Sequence, residues 1–194
     1  MSERLGVLGG AFDPIHLGHL ILASEAKRQL DLHRVLFIPT YQSAHQDKII
    51  ATTFEHRCAM ARAAVSGQAH FMVSDIESRV SGKSYTVATL TLLRDIYRDS
   101  SLFFIMGADS LEQFETWHEP DKVLRLATVV VAHRPGHEPE LRGKSIKLIE
   151  MPLIDISASE IRRRVYEGLP IRFMVPEAVE EYIVRAGLYR KSDG

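Results

Sequence analysis

The sequence has little cysteine, no long apolar run and no excess of charge of either sign. Its 194 residues include a single cysteine, Cys58, which excludes an internal disulfide and a zinc site built from several thiolates. No apolar run approaches the roughly 18–20 residues of a membrane span, and residues 1–5 lead into a strand-like segment without the apolar core of a signal peptide. These absences predict a soluble, cytoplasmic protein without a membrane partner.

The charges of the chain nearly cancel. Lys and Arg number 24 and Asp and Glu number 25, which gives a formal net charge of -1. A protein that binds nucleic acid through bulk charge carries a basic excess, so a nucleic-acid partner is not expected. Apolar residues at 45% and charged residues at 25% are typical of globular chains and exclude disordered and fibrous classes. A homo-oligomer is compatible with this composition.

Strand-like and helix-like segments alternate along the chain. Short apolar runs predict strands at residues 5–8, 35–38, 69–73, 102–106, 128–132 and 145–149. Helical spacing and capping residues predict helices at about 17–30, 54–65, 84–98, 158–167 and 177–186. Strands joined through helices pair in parallel, and continuous apolar runs are typical of strands buried on both faces. We therefore predict an α/β fold: a Rossmann-like open parallel sheet with helices on both faces, ending in a small C-terminal helical segment, as one domain over residues 1–194.

The segment after the first strand combines glycines with two histidines. Residues 9–19 read Gly-Gly-Ala-Phe-Asp-Pro-Ile-His-Leu-Gly-His. Ligands of open parallel sheets bind beyond the carboxyl ends of the strands, where this segment is expected to lie. Paired glycines let the backbone approach a bulky group, and the N-terminus of the following helix offers free N–H groups to an anion. The segment is neither a G-x-G-x-x-G fingerprint nor a Walker loop.

Three interpretations of His16 and His19 compete. Their spacing of three places both imidazoles on one side of the first helical turn, and Gly18 between them leaves space for a ligand. As metal ligands they lack a third residue at a recognised spacing, so no protein metal site is expected. A buried structural role is the default for a lone histidine. A role as phosphate donors agrees with the glycines, the helix start and the strand end together.

Three further segments place polar groups at helix starts. Ser157 begins a capping box with Arg162 about one turn inside the helix, while the arginines at 163 and 164 are interpreted as a solvated basic face. Asp109 follows the most apolar strand and is expected at the same sheet edge, where a role as helix N-cap is compatible with ligand binding. Ser84 is a candidate N-cap in the segment Ser-Gly-Lys-Ser-Tyr-Thr at residues 81–86. Trp117, the single tryptophan, is a core or a ligand residue.

Residues 9–19 resemble the signature of bacterial nicotinate-nucleotide adenylyltransferases, members of the His-x-Gly-His nucleotidyltransferase superfamily. The resemblance spans nearly the whole chain and includes the Ile-Ser-x-x-x-Ile-Arg motif at residues 156–162, Ser-Gly-x-Ser-Tyr-Thr at 81–86 and Arg-Pro-Gly at 134–136. It implies transfer of AMP from ATP to the 5′-phosphate of nicotinate mononucleotide in NAD biosynthesis, with release of pyrophosphate and no covalent intermediate. It also implies Mg²⁺, carried by the phosphates of ATP.

The resemblance assigns roles to individual residues. The catalytic residues that it implies are His16, His19 and Arg162. The ATP-binding residues that it implies are Gly9, Gly10, Ala11, Phe12, His16, Gly18, His19, Gly107, Asp109, Ile156, Ser157 and Arg162. The residues that it implies for binding the mononucleotide are His45, Tyr85, Thr86, Trp117 and Arg134. In this assignment Trp117 stacks on the pyridine ring, and Ser157 and Arg162 hold the β- and γ-phosphates.

One departure from the family pattern lies after the second strand, and several acceptors stay open. Similar enzymes usually carry Pro-His-Lys where this chain has Ala44-His45-Gln46, so phosphate affinity is expected to rely on Lys48, Arg134 or a changed geometry. The alternatives are the same chemistry on nicotinamide mononucleotide, phosphopantetheine or an alcohol phosphate, and a nucleotide-binding module without catalysis. An RNA-linked role is disfavoured by the balanced charge.

Overall fold

A computed structural model describes residues 2–43, 50–80, 82–133 and 146–191. The strands are β1 (Arg4–Gly10), β2 (Arg34–Pro39), β3 (Phe71–Val73), β4 (Ser101–Gly107), β5 (Thr128–His133) and β6 (Ile146–Glu150). The α-helices are α1 (Leu17–Gln29), α2 (Phe54–Val65), α3 (Thr86–Ile96), α4 (Ala108–Glu112), α5 (Pro120–Leu126), α6 (Ala158–Tyr166) and α7 (Glu177–Arg185). Short 3₁₀ turns occupy Ile76–Arg79 and Phe114–Thr116.

The strands form one sheet in the order β3-β2-β1-β4-β5-β6, and every neighbouring pair is parallel. The predicted α/β class is confirmed. The chain builds outward from β1 to β3 on one side and then from β4 to β6 on the other, so the order reverses between β1 and β4. Ligands of such sheets bind in the crevice at this reversal, beyond the carboxyl ends of the strands. The segments that follow β1 and β4 therefore share one edge.

Helices cover both faces of the sheet, and each face has its own apolar core. Alternate residues of β4 point to opposite faces: Phe103 and Ile105 belong to one core, and Phe104 and Met106 to the other. The first core includes buried residues of α1, α2, α6 and α7, and the second includes those of α3 and α5. Burial on both faces explains why the strands are continuous apolar runs in the sequence.

The predicted helix caps are partly confirmed. Ser157 caps α6, with its hydroxyl accepting a hydrogen bond from the Glu160 N–H at 3.2 Å. The prediction that Ser84 caps α3 is wrong, because Tyr85 is the N-cap residue and the Ser84 hydroxyl accepts from Gln42 N–H at 3.1 Å. Ser84 also forms a β-bridge with Ser43 in the loop after β2. Among the described residues, no helix has the length and apolar character needed to span a bilayer.

Candidate active site

The loop after β1 folds back on itself around a buried phenylalanine. Phe12 adopts a left-handed backbone conformation with φ of 51°, and its side chain is 1% exposed. Its ring packs against Phe37 and lies nearly perpendicular to the His19 ring, with the centroids of Phe12 and His19 5.0 Å apart. A Cβ at Gly10 would lie 3.0 Å from the Phe12 ring, a tight contact that a glycine avoids. The Phe12 side chain thus packs against His19 from inside the core.

His16 and His19 form a stacked pair at the start of α1. Their ring centroids are 3.7 Å apart and their planes are 30° from parallel, which confirms that both rings lie on the same side. The backbone N–H of His16 donates to Nδ1 of the His19 ring at 3.2 Å. Since Nδ1 accepts, the neutral His19 ring carries its proton on Nε2. A Cβ at Gly18 would lie 3.1 Å from Nδ1 and Cε1 of His16, so Gly18 makes room for this imidazole.

Burial keeps both imidazoles uncharged at neutral pH. Burial lowers the pKa of His16 from 6.5 to about 4. Burial also lowers the pKa of His19 well below its usual value, and a charge on His16 would lower it further. Nδ1 of His16 is buried and has no hydrogen-bond partner among the described residues. An uncharged ring pair can donate N–H groups to a phosphate, and a bound anion would raise both pKa values.

Two backbone amides at the start of α1 already have partners. The Leu17 N–H donates to the Met174 carbonyl at 3.0 Å, and the His19 N–H donates to the His16 carbonyl at 3.0 Å. The prediction that the first turn offers free amides is therefore wrong for these two groups. The Leu17 N–H is engaged because the turn before α7 packs against the start of α1, a contact that local sequence does not specify, whereas the His19 N–H is engaged within the first turn itself.

Arg162 connects α6 to the histidine loop. Its Nη1 donates to the backbone carbonyl of Asp13 at 2.7 Å. The side chain of Ile154, just before α6, also lies 3.7 Å from where a Gly18 Cβ would be. Residues 9–19 and 154–162 are thus in contact, although they lie far apart in the sequence. This brings a guanidinium to the loop that carries the two imidazoles.

The two arginines that follow lie on a surface of ion pairs, as predicted. Arg163 pairs with Glu160 at 2.7 Å and with Glu167 at 2.6 Å, and Arg164 pairs with Glu160 at 3.1 Å. These side chains pair with one another on the exposed side of α6. They contribute little to stability, because ion pairs in contact with solvent are screened. Of the three consecutive arginines, Arg162 is the one in contact with the loop.

The segment after β4 lies open at the same sheet edge. No atom of the described residues lies within 4 Å of a Cβ placed on Gly107, which leaves open space there in the described part of the chain. Asp109 is exposed, and the prediction that it is an N-cap is wrong, because Gly107 caps α4 and Asp109 lies in its first turn. Trp117 is half-buried, with its ring 5.4 Å from Phe114 and 6.0 Å from Phe104. The indole is held by core aromatics while part of it remains accessible.

Tyr85 forms a ring pair beside the start of α3. Its ring centroid lies 4.5 Å from that of His118, and a cavity of about 410 Å³ opens next to the pair. Thr86 is the first residue of α3. His45, Lys48 and Arg134, which the sequence also suggested, lie outside the described residues.

Sequence reasoning missed a buried carboxylate in the histidine loop. Asp13 is 1% exposed, and its Oδ1 accepts from the Thr52 hydroxyl at 2.6 Å and from the Tyr189 hydroxyl at 2.7 Å. Its Oδ2 accepts from the Ala51 N–H. Burial raises the pKa of Tyr189, and the bond to Asp13 raises it further, so this hydroxyl remains a donor at neutral pH. The partners are 38 to 176 residues away, and no local pattern indicates them.

A buried arginine lies on the other side of the loop. Arg57 is 1% exposed, and its Nη1 donates to the Ala11 carbonyl at 2.8 Å. Burial lowers the pKa of its guanidinium, which the charge of Asp13 partly offsets. Arginine is rarely buried without a partner, and nothing in the sequence of α2 indicated that Arg57 would be. Within the described residues, no group of three or more His, Cys, Asp or Glu is placed to hold a metal ion.

The class of the protein follows from a match to a family model, and the matched residues include this site. The model of the Cytidylyltransferase-like family matches residues 7–164, a span that includes most of β1, the histidine pair and Arg162. The parallel sheet with a site at its central reversal is thus that of a nucleotidyltransferase.

Similar curated proteins narrow the class. A protein of Thermomicrobium roseum is 49% identical over 97% of this chain and 92% of its own length, and one of Thermus thermophilus is 43% identical over 96% of this chain and 100% of its own. Both are named "Probable nicotinate-nucleotide adenylyltransferase". The chain belongs to the family of nicotinate-nucleotide adenylyltransferases.

Solved structures share the fold at lower identity. The Plasmodium falciparum nicotinic acid mononucleotide adenylyltransferase, solved in complex with NaAD, has a TM-score of 0.80 at 21% identity and covers 96% of this chain and 97% of its own. The same enzyme in complex with APC has a TM-score of 0.78 at 20% identity, again over 96% of this chain and 97% of its own. At this identity the likeness concerns the fold.

Proposed function

We propose that the protein transfers AMP from ATP to the 5′-phosphate of nicotinate mononucleotide, giving nicotinate adenine dinucleotide and pyrophosphate. Family membership supports the reaction. The observation that carries it is the convergence of the stacked His16–His19 pair with Arg162 on one loop at the sheet reversal. Neutral N–H donors and a guanidinium at a sheet edge suit a chain of phosphates better than any other ligand class.

The chemistry needs no general base from the protein. The acceptor phosphate is already anionic, and one of its oxygens attacks the α-phosphorus of ATP while the bond to pyrophosphate breaks. Charge builds on the α-phosphate and on the leaving group, so positioning and electrostatic stabilisation supply the catalysis. His19 donates from Nε2 to an α-phosphate oxygen, His16 donates beside it, and Arg162 pairs with the departing pyrophosphate.

We assign the remaining nucleotide contacts to the same sheet edge. The ATP contacts in this proposal come from Gly9, Gly10, Ala11, the Phe12 backbone, Gly18, Gly107, Asp109, Ile156 and Ser157. Magnesium enters as MgATP, with the phosphate oxygens as its ligands, because Mg²⁺ commonly binds through substrate phosphates rather than a protein cage. We also propose that the reaction takes place in the cytoplasm.

The acceptor is proposed to lie toward Tyr85, Thr86 and Trp117. The accessible indole offers a face for stacking of a pyridine ring, and the start of α3 lies beside it in the same layer of helices. His45 and Arg134 are proposed to contact the mononucleotide phosphate. The second candidate acceptor is nicotinamide mononucleotide, which presents the same ring and phosphate and differs only in an amide for a carboxylate.

A side-by-side acceptor assay tests the proposal. Purified protein is given MgATP with nicotinate mononucleotide, nicotinamide mononucleotide or phosphopantetheine, and pyrophosphate release is followed for each. We expect the largest kcat/KM with nicotinate mononucleotide, and we expect the His19→Ala variant to release little pyrophosphate with any acceptor. Absence of release with both pyridine mononucleotides, or faster release with phosphopantetheine, would contradict the proposal.

A further inference from the structure

We propose that Asp13 is a positioning residue whose buried carboxylate holds the histidine loop so that His19 and Arg162 act on the same triphosphate. The reaction in which it acts is the proposed function. The geometry that supports this role stands independently of the acceptor.

The carboxylate is held from two distant parts of the chain. Thr52 and Tyr189 both donate to Oδ1, at 2.6 and 2.7 Å, and the Ala51 N–H donates to Oδ2. Ala51 and Thr52 precede α2, whereas Tyr189 follows α7. Hydrogen bonds to a charged acceptor are shorter and stronger than neutral ones, and three of them fix the carboxylate in place. Three donors on a side chain that is 1% exposed leave it little freedom to move.

Two of the contacts that orient His19 come from residues close to Asp13 in the sequence. Phe12, directly before it, forms a T-shaped ring contact with His19, and His16, three residues after it, donates its backbone N–H to Nδ1 of His19. Arg162 donates to the Asp13 backbone carbonyl itself. A displacement of Asp13 would therefore turn the His19 ring and move the guanidinium at once. Misplacement of reacting groups by about 1 Å can cost on the order of 10²-fold in rate.

A purely structural role would have a different signature. If the carboxylate only joined α2 to the C-terminal segment, its loss would lower the unfolding temperature and leave kcat unchanged in the folded protein. A second hydroxyl makes the same connection without touching the loop, because Tyr182 OH lies 2.9 Å from Nδ1 of His56 in α2. Tyr182→Phe is thus a matched control for Tyr189→Phe.

The first test compares variants at a temperature where circular dichroism shows that each is folded. Asp13→Asn replaces one acceptor oxygen by an NH₂ group and is expected to lower kcat by about 10- to 100-fold. Tyr189→Phe and Thr52→Val each remove one donor and are expected to lower kcat by about 3- to 10-fold, with KM for MgATP within about twofold of wild type. Tyr182→Phe is expected to keep the wild-type kcat. If Asp13→Asn does not fold, the kcat values of Tyr189→Phe and Thr52→Val test the proposal in its place.

The second test reads the His19 ring directly in the ligand-free protein. Imidazole ¹⁵N NMR distinguishes protonated from unprotonated ring nitrogens, and wild type should show Nε2 of His19 protonated. We expect Asp13→Asn and Tyr189→Phe to shift these signals or to mix the two tautomers, and Tyr182→Phe to leave them unchanged. This result stays informative if the acceptor proves to be a different molecule, or if no transfer is observed. Unchanged His19 signals and an unchanged kcat in folded Tyr189→Phe would overturn the proposal.

Discussion

The buried His16 imidazole predicts a specific loss of stability in mild acid. The folded protein resists protonation of this ring, because burial lowers its pKa from 6.5 to about 4. The unfolded chain takes up the proton near pH 6.5. The contribution of His16 to stability is therefore present in full above pH 6.5 and is lost as the pH falls toward about 4. The perturbation that isolates it is His16→Asn, which removes the titrating group.

The magnitude follows from the two pKa values. Between pH 7 and pH 5 the linkage relation gives a loss of about 2 kcal/mol for a ring that titrates at 6.5 unfolded and at about 4 folded. Over the whole window the loss is about 3 kcal/mol, at about 1.4 kcal/mol for each pKa unit. Losses from carboxylates affect wild type and variant alike, so the comparison of the two proteins removes them.

Urea unfolding at pH 7 and pH 5 measures the difference. The free energy of unfolding comes from linear extrapolation of each transition to zero denaturant. We expect wild type to lose about 2 kcal/mol more than His16→Asn between the two pH values. His70→Asn removes an exposed imidazole and should reproduce the wild-type loss. An equal loss in wild type and His16→Asn would refute the assignment of His16 as a ring buried in its neutral form.

Three further outcomes test the site. His19→Ala should lower kcat by about 10²- to 10³-fold, which is the scale for removal of one preorganised donor. A near wild-type kcat in steady-state kinetics would remove His19 from the mechanism. Trp117→Ala should raise KM for the mononucleotide by about tenfold, which is the scale of one lost stacking contact, with little change in KM for ATP. An equal rise in KM for both substrates would make Trp117 a core residue. Gly18→Ala places a Cβ 3.1 Å from the His16 ring and should lower kcat by about tenfold while circular dichroism remains that of wild type; full activity would contradict the close approach.

Features set by short-range patterns were predictable from the sequence. The six strands lie where apolar runs indicate them, because strands buried on both faces need no alternation of polar residues. The Ser157 cap depends on residues three apart, and so does the common side of His16 and His19. Helix α5 was not predicted, since seven residues contain too few turns for a clear helical period.

Features set by packing were not predictable in this way. Ser84 has a good capping side chain, yet its hydroxyl accepts from the N–H of Gln42 in the loop after β2 instead. The carboxylate of Asp13 meets donors from before α2 and after α7, and Arg162 reaches the same loop from α6. Local patterns of residues were enough to predict the α/β class and the alternation of the six strands with the longer helices. Which buried groups hold those segments together depends on packing, because polar partners from distant parts of the chain become neighbours only after the helices pack on the sheet.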